Sequence, residues 1–150
     1  MSSGVKKREI DDYLHNVNLL NNISDRDNEM LGEMPTCHEF EHVMKSMKLN
    51  KSPGYDGIPV EFYNVFWNDI KDIYFDMIQE CWNTKDLPVS MKTAILSLIH
   101  KGKARDLLKN YRPISLMNTD YKLLAFVFAF RLQKVIASII DPDQSAYVKN

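Results

Sequence analysis

The sequence predicts an α+β fold, mainly helical with one antiparallel β-hairpin, and three observations lead there. Ile70, Ile73, Tyr74, Met77, Ile78, Cys81 and Trp82 recur at the spacing of one helix face. Residues 123–130 form an unbroken apolar run inside a helical pattern that reaches about Ile140. Between these two patterns, a short run rich in β-branched side chains (residues 93–99) and a second one (111–115) flank a ten-residue basic loop, which reads as two strands joined in a hairpin. A chain of 150 residues holds one domain with a real core, and is too short for two.

Taken in order, residues 1–34 carry the weakest signal. Ile10, Leu14 and Val17 give a faint helical pattern, a turn-rich stretch follows at 21–25, and the whole reads as a peripheral N-terminal arm on a structured region at 35–150. Thr36 and Glu39 form a capping-box pair that opens a helix carrying Phe40, Val43, Met44 and Met47, which ends before Ser52. A second helical stretch starts near Pro59 with Phe62, Phe66 and Trp67; the amphipathic pattern from Ile70 follows, stopped by Leu87 and Pro88. The strand at 93–99 is short and mostly apolar, so it is expected to be buried. Pro113 donates no N–H, which places the second strand at an edge and holds Arg112, the residue before it, in an extended conformation. Asn118 is the expected N-cap of the last helix. The first half of that helix is apolar all round and is expected to be buried on several sides; the second keeps Leu132, Val135, Ile136, Ile139 and Ile140 on one face.

Composition bounds the class of protein. With 45% hydrophobic and 26% charged residues the chain is ordinary for a globular protein, and its longest apolar run is far too short to span a membrane. Cys37 and Cys81 stand far apart and outside any Cys-x-x-Cys pair, so neither a disulfide framework nor a four-cysteine zinc site is expected. With no secretory pattern in the first residues, an intracellular setting, nuclear or cytoplasmic, fits best. The net charge is −1, but it is unevenly spread. Residues 1–91 carry nine Lys/Arg against sixteen Asp/Glu, whereas residues 92–112 carry Lys92, Lys101, Lys103, Arg105, Lys109 and Arg112 against Asp106 alone. Such a segment is either a solvated loop or a local phosphate-binding patch.

Two motifs need weighing. His38, Glu39 and His42 match H-E-x-x-H, the zinc-protease pattern. On a helical wheel both histidines fall about 160° from the face of Phe40, Val43, Met44 and Met47, so they point to solvent, and Glu39 is already the capping partner of Thr36. No metal site is expected there. Residues 50–57 are a cluster of turn formers. Gly54 and Gly57 permit close approach of the backbone to a ligand and Lys51 adds charge, while a plain connection between helices accounts for the same residues. The cluster lacks the Gly-Lys-Ser/Thr ending of a P-loop.

The order of the pieces says more than any one of them. Lys51-Ser52-Pro53-Gly54-Tyr55-Asp56-Gly57-Ile58-Pro59 is followed by Glu61-Phe62-Tyr63, Phe66-Trp67, Leu87-Pro88 and the apolar residues 95–99 with Lys101-Gly102. Then come Lys109-Asn110-Tyr111-Arg112-Pro113-Ile114-Ser115-Leu116, Tyr121-Lys122, Arg131-Leu132 and Asp143-Gln144-Ser145-Ala146-Tyr147-Val148. From Met34 onward this series resembles the amino-terminal part of LINE-type non-LTR retrotransposon reverse transcriptases. Tyr55 stands where that family usually has a second proline, and Phe126 and Phe130 stand where lysine and asparagine are common.

The resemblance implies the fingers subdomain of an incomplete right-hand polymerase fold, with residues 35–150 as the fingers region. It implies that Arg112 and a loop lysine, Lys101, clamp the triphosphate of an incoming deoxynucleotide, and that Lys51, Ser52, Pro53, Gly54, Asp56 and Gly57 lie along the template. The partners implied for the full-length enzyme are an RNA template, a DNA primer and a deoxynucleoside triphosphate, with magnesium as its metal. Two-metal chemistry needs carboxylates holding two ions ~4 Å apart; the only Asp-Asp pair, Asp11-Asp12, lies upstream of these motifs. This stretch is therefore expected to supply contacts, bind no metal and not catalyse alone, with self-association through uncovered apolar surface. The alternative is a non-enzymatic remnant that binds nucleic acid or a protein partner.

Overall fold

Thr36 starts the body of the fold as the sequence predicts. In the computed structural model, which describes residues 23–102 and 104–140, its hydroxyl accepts from the Glu39 N–H while the Glu39 carboxylate accepts from the Thr36 N–H. This closed cap opens a helix at Cys37–Ser46. In chain order the described elements are α1 (Asp25–Gly32), α2 (Cys37–Ser46), α3 (Val60–Thr84), α4 (Val89–Lys92), β1 (Ala94–His100), a 3₁₀ turn (Leu108–Asn110), β2 (Tyr111–Met117) and α5 (Thr119–Ile139). The result is α+β, with one two-stranded antiparallel sheet.

The core lies between α2, α3 and α5. Phe40, Val43 and Met44 from α2 meet Val60, Tyr63, Trp67, Tyr74 and Ile78 from α3, with Met91 of α4 and Leu123, Leu124 and Val127 of α5. Burying each large apolar side chain contributes about 1.5–3 kcal/mol. The rings meet edge to face, Phe40 on Tyr74 with centroids 5.2 Å apart. Their polar ends are satisfied: the Tyr74 hydroxyl donates to the Asp120 carbonyl at 2.8 Å, and the Trp67 indole N–H donates to Glu41 at 3.2 Å. Burial pushes both the Tyr63 and Tyr74 hydroxyls well above the usual phenol range, with Asp120 adding to it.

Several expectations are corrected. The strand expected at 93–99 to be buried is β1, and it is largely exposed. The hairpin packs on itself and stands off the helices, so the apolar side chains of both faces, Ile95 and Ile99 on one and Leu96 and Leu98 on the other, meet solvent. The two helical patterns after Pro59 run on as one helix, α3, which ends where Lys85 turns left-handed at φ 57°. Ile73, expected on its buried face, is 73% exposed. Helix α2 stops at Ser46, with Met47 extended. In α5 the all-round burial expected for 123–130 fails at Phe126, which is 47% exposed, and Leu132 is exposed while its neighbour Arg131 is buried. Part of the low-signal arm, Asp25–Gly32, forms α1, N-capped by the Ser24 side chain. The pattern of Ile10, Leu14 and Val17, the loop residue Lys103 and the 143–148 motif lie outside the described residues.

Candidate nucleic-acid interface

The hairpin register arranges its cations. Ile99 pairs with Arg112 and His100 with Tyr111, and side chains directly opposite one another share a face. Lys101 follows Ile99 by two positions, so alternation puts it on the face of Arg112. The ladder extends to it through the bond from the Lys101 N–H to the Asn110 carbonyl at 2.8 Å. Both side chains are exposed. The Lys101 ammonium donates to the Lys109 carbonyl at 3.0 Å, leaving donors to spare. Arg112 has no ion pair or side-chain hydrogen bond among the described residues.

The loop between the strands is held in place. Asn110 is buried and its amide donates to the Ala104 carbonyl at 2.7 Å; the Tyr111 hydroxyl donates to the Arg105 carbonyl at 3.0 Å. The His100 ring lies 5.1 Å from that of Tyr111, and its Nδ1 accepts from the Gly102 N–H. Gly102 has φ 79°, a left-handed conformation that suits glycine.

Residues 51–57 sit at the opposite end of β2, against the start of α5. Gly54 is buried so tightly that a Cβ there would meet Asn118 Oδ1 at 2.0 Å and the Asn118 backbone nitrogen at 2.4 Å. Gly57 has φ 72° and closes the turn onto the Gly54 carbonyl, while Asp56 accepts from the Ile58 N–H at 3.0 Å. Lys51, Ser52, Asp56 and Gly57 are exposed, and Pro53 is half-buried. The structure thus brings Lys101 and Arg112 together at one end of the hairpin and keeps the turn of 51–57 as a separate unit at the other.

What anchors this turn escaped the sequence reading. Asn118 occupies the N-cap position of α5 as expected, but its side chain does not cap the helix. Its oxygen accepts a long bond from the Asp56 N–H at 3.5 Å and its amide donates to the Ser90 carbonyl at 3.3 Å. The Thr119 hydroxyl donates to the Ile58 carbonyl at 2.7 Å, and the Lys122 ammonium to the Ser52 carbonyl at 3.1 Å. Burial raises the nearby Asp120 carboxyl above the usual carboxylate range, opposed by the bond it accepts from the Tyr121 N–H. The polar run Asn118-Thr119-Asp120 ahead of an apolar helix was the available signal, and local capping explained it equally well.

Beside the turn lies a cleft of about 680 Å³ between α2, residues 47–52 and α5. On α2, His38 and His42 are both exposed, as the wheel predicts, and His42 stands at the edge of this cleft. Among the described residues no group of three His, Cys, Asp or Glu side chains gathers where a metal could sit. Nor is any described helix long and apolar enough to cross a membrane.

No protein-family model matches the chain. Over 123 residues, 82% of its length, it is 39% identical to the Transposon TX1 uncharacterized 149 kDa protein of Xenopus laevis. Over 120 residues, 76% of its length, it is 31% identical to the Retrovirus-related Pol polyprotein from type-1 retrotransposable element R1 of Bradysia coprophila. The chain belongs to the non-LTR retrotransposon proteins. It spans only 9% and 12% of the lengths of these two retrotransposon relatives.

Proposed function

We propose that this chain is the fingers portion of a LINE-type reverse transcriptase. In this reading Arg112 and Lys101 grip the triphosphate of an incoming deoxynucleotide, and residues 51–57 lie along the RNA template. The observation that carries it is the hairpin register, with Arg112 and Lys101 on one face, exposed, at the end of a loop pinned by its own hydrogen bonds. Arginine suits the site because its planar fork grips phosphate oxygens two at a time and stays charged. The similarity to a Pol polyprotein supports the same reading. Magnesium belongs to the full-length polymerase, and this stretch contributes contacts and no chemistry of its own.

The test is nucleotide and RNA binding by the chain at low salt. Arg112→Ala should abolish triphosphate binding, whereas Lys109→Ala should weaken RNA binding only in a general, salt-dependent way. Triphosphate binding that is indifferent to Arg112→Ala and Lys101→Ala, or primer extension by the chain alone with magnesium, would overturn the proposal.

A further inference from the structure

The cleft between α2 and α5 combines an apolar floor with a one-signed rim. Val43 and Met47 form one wall, and Phe126 and Phe130 the other. Its charged lining is lysine, Lys48, Lys51 and Lys122, with no aspartate or glutamate, although it is built largely from the acidic half of the chain. Phe126 keeps nearly half its surface uncovered, although Leu123, Leu124 and Val127 beside it are buried. Phe130 lies 4.8 Å from the His42 ring and has the Lys134 ammonium 4.5 Å from its centroid.

We propose that the cleft holds one unstacked base of a single-stranded RNA, with the base against Phe126 and Phe130 and the flanking phosphates on Lys48, Lys51 and Lys122. Aromatic faces for bases beside cations for phosphates are what binding of an unpaired strand requires. The volume lies within the range of small-ligand pockets. The rim shares Lys51 and Ser52 with the turn read as lying along the template, and the proposal rests on that reading.

The test compares the unaltered chain's affinity for a short oligouridylate with that for an abasic ribose-phosphate strand of equal length. The abasic strand should bind about tenfold more weakly. Combined Phe126→Ala and Phe130→Ala should remove that difference, and Lys48→Glu, on an exposed side chain, should weaken both strands. Equal affinity of the unaltered chain for the two strands overturns the proposal, with no variant needed. If that equal binding is lost on Lys51→Ala, the cleft fails while the template reading survives; if neither strand binds, both fail. Binding of an acidic helical peptide in place of either strand would also overturn it, and assign the cleft to a protein partner.

Discussion

Arg131 and Arg112 carry the same cation into opposite circumstances, one in the helical body and one on the hairpin. Arg131 is 2% exposed, and its guanidinium is fully engaged. Nε and Nη2 donate to the two Glu39 oxygens at 2.6 and 2.7 Å, and the remaining donors reach the carbonyls of Met30, Glu33 and Met34. This clasp ties α5 to the cap of α2, to the last turn of α1 and to the segment after it. Arg112 is exposed on a strand that touches little besides its partner strand. A charge consumed by internal partners holds the fold; a charge displayed on a pinned but uncovered hairpin is free for a ligand. The body should therefore respond to substitution in stability, and the hairpin in binding.

The largest effect should come from breaking the clasp. Arg131→Leu leaves Glu39 without its partner and three carbonyls without donors, and should cost about 3–5 kcal/mol in a urea titration. Next, Gly54→Ala forces a methyl group into Asn118, backbone included, and should cost about 1–3 kcal/mol. A loss well under 1 kcal/mol would show that the 51–57 turn is less tightly coupled to α5 than its contacts indicate.

A smaller effect separates the two regions by pH. The Arg131 hydrogen bonds are the main reason the Glu39 carboxyl falls from its ordinary 4.5 to about 2, with the Thr36 bonds adding to it. Between those values the unfolded chain binds more protons than the folded one, so stability rises with pH there. The contribution is complete above 4.5 and is lost as the pH falls toward 2. Arg131→Met should flatten this acid limb, whereas Arg112→Ala should leave it unchanged. The smallest stability effect should be that of Arg112→Ala itself, within about 0.5 kcal/mol of the parent. A larger loss would mean that Arg112 also serves the fold and would blur the contrast.

Much of the architecture was legible because its causes are local. The Thr36–Glu39 cap, the helix faces of Phe40 and Tyr74, the hairpin around 101–110 and the end of α5 at Ile139 each follow from residues a few positions apart. The burial of Arg131 was not anticipated, although it falls in a stripe with Leu124, Val127 and Val135, and that stripe was the signal.

The sequence by itself determined the order of helices and hairpin, the exposure of the two histidines and the clustering of cations near Arg112, since period, caps and turn chemistry act within a few residues. Only the tertiary structure decided that Glu39 serves a cap and an ion pair together, through Arg131, which lies 92 positions away. It likewise decided that Asn118 reaches Asp56 across 62 positions, and that Gly54 is needed for that fit. The exposure of the hairpin and the opening of Phe126 into a lysine-rimmed cleft belong to the same class. In each case the partner comes from a distant part of the chain, and no local pattern encodes which buried polar group or uncovered ring will face it.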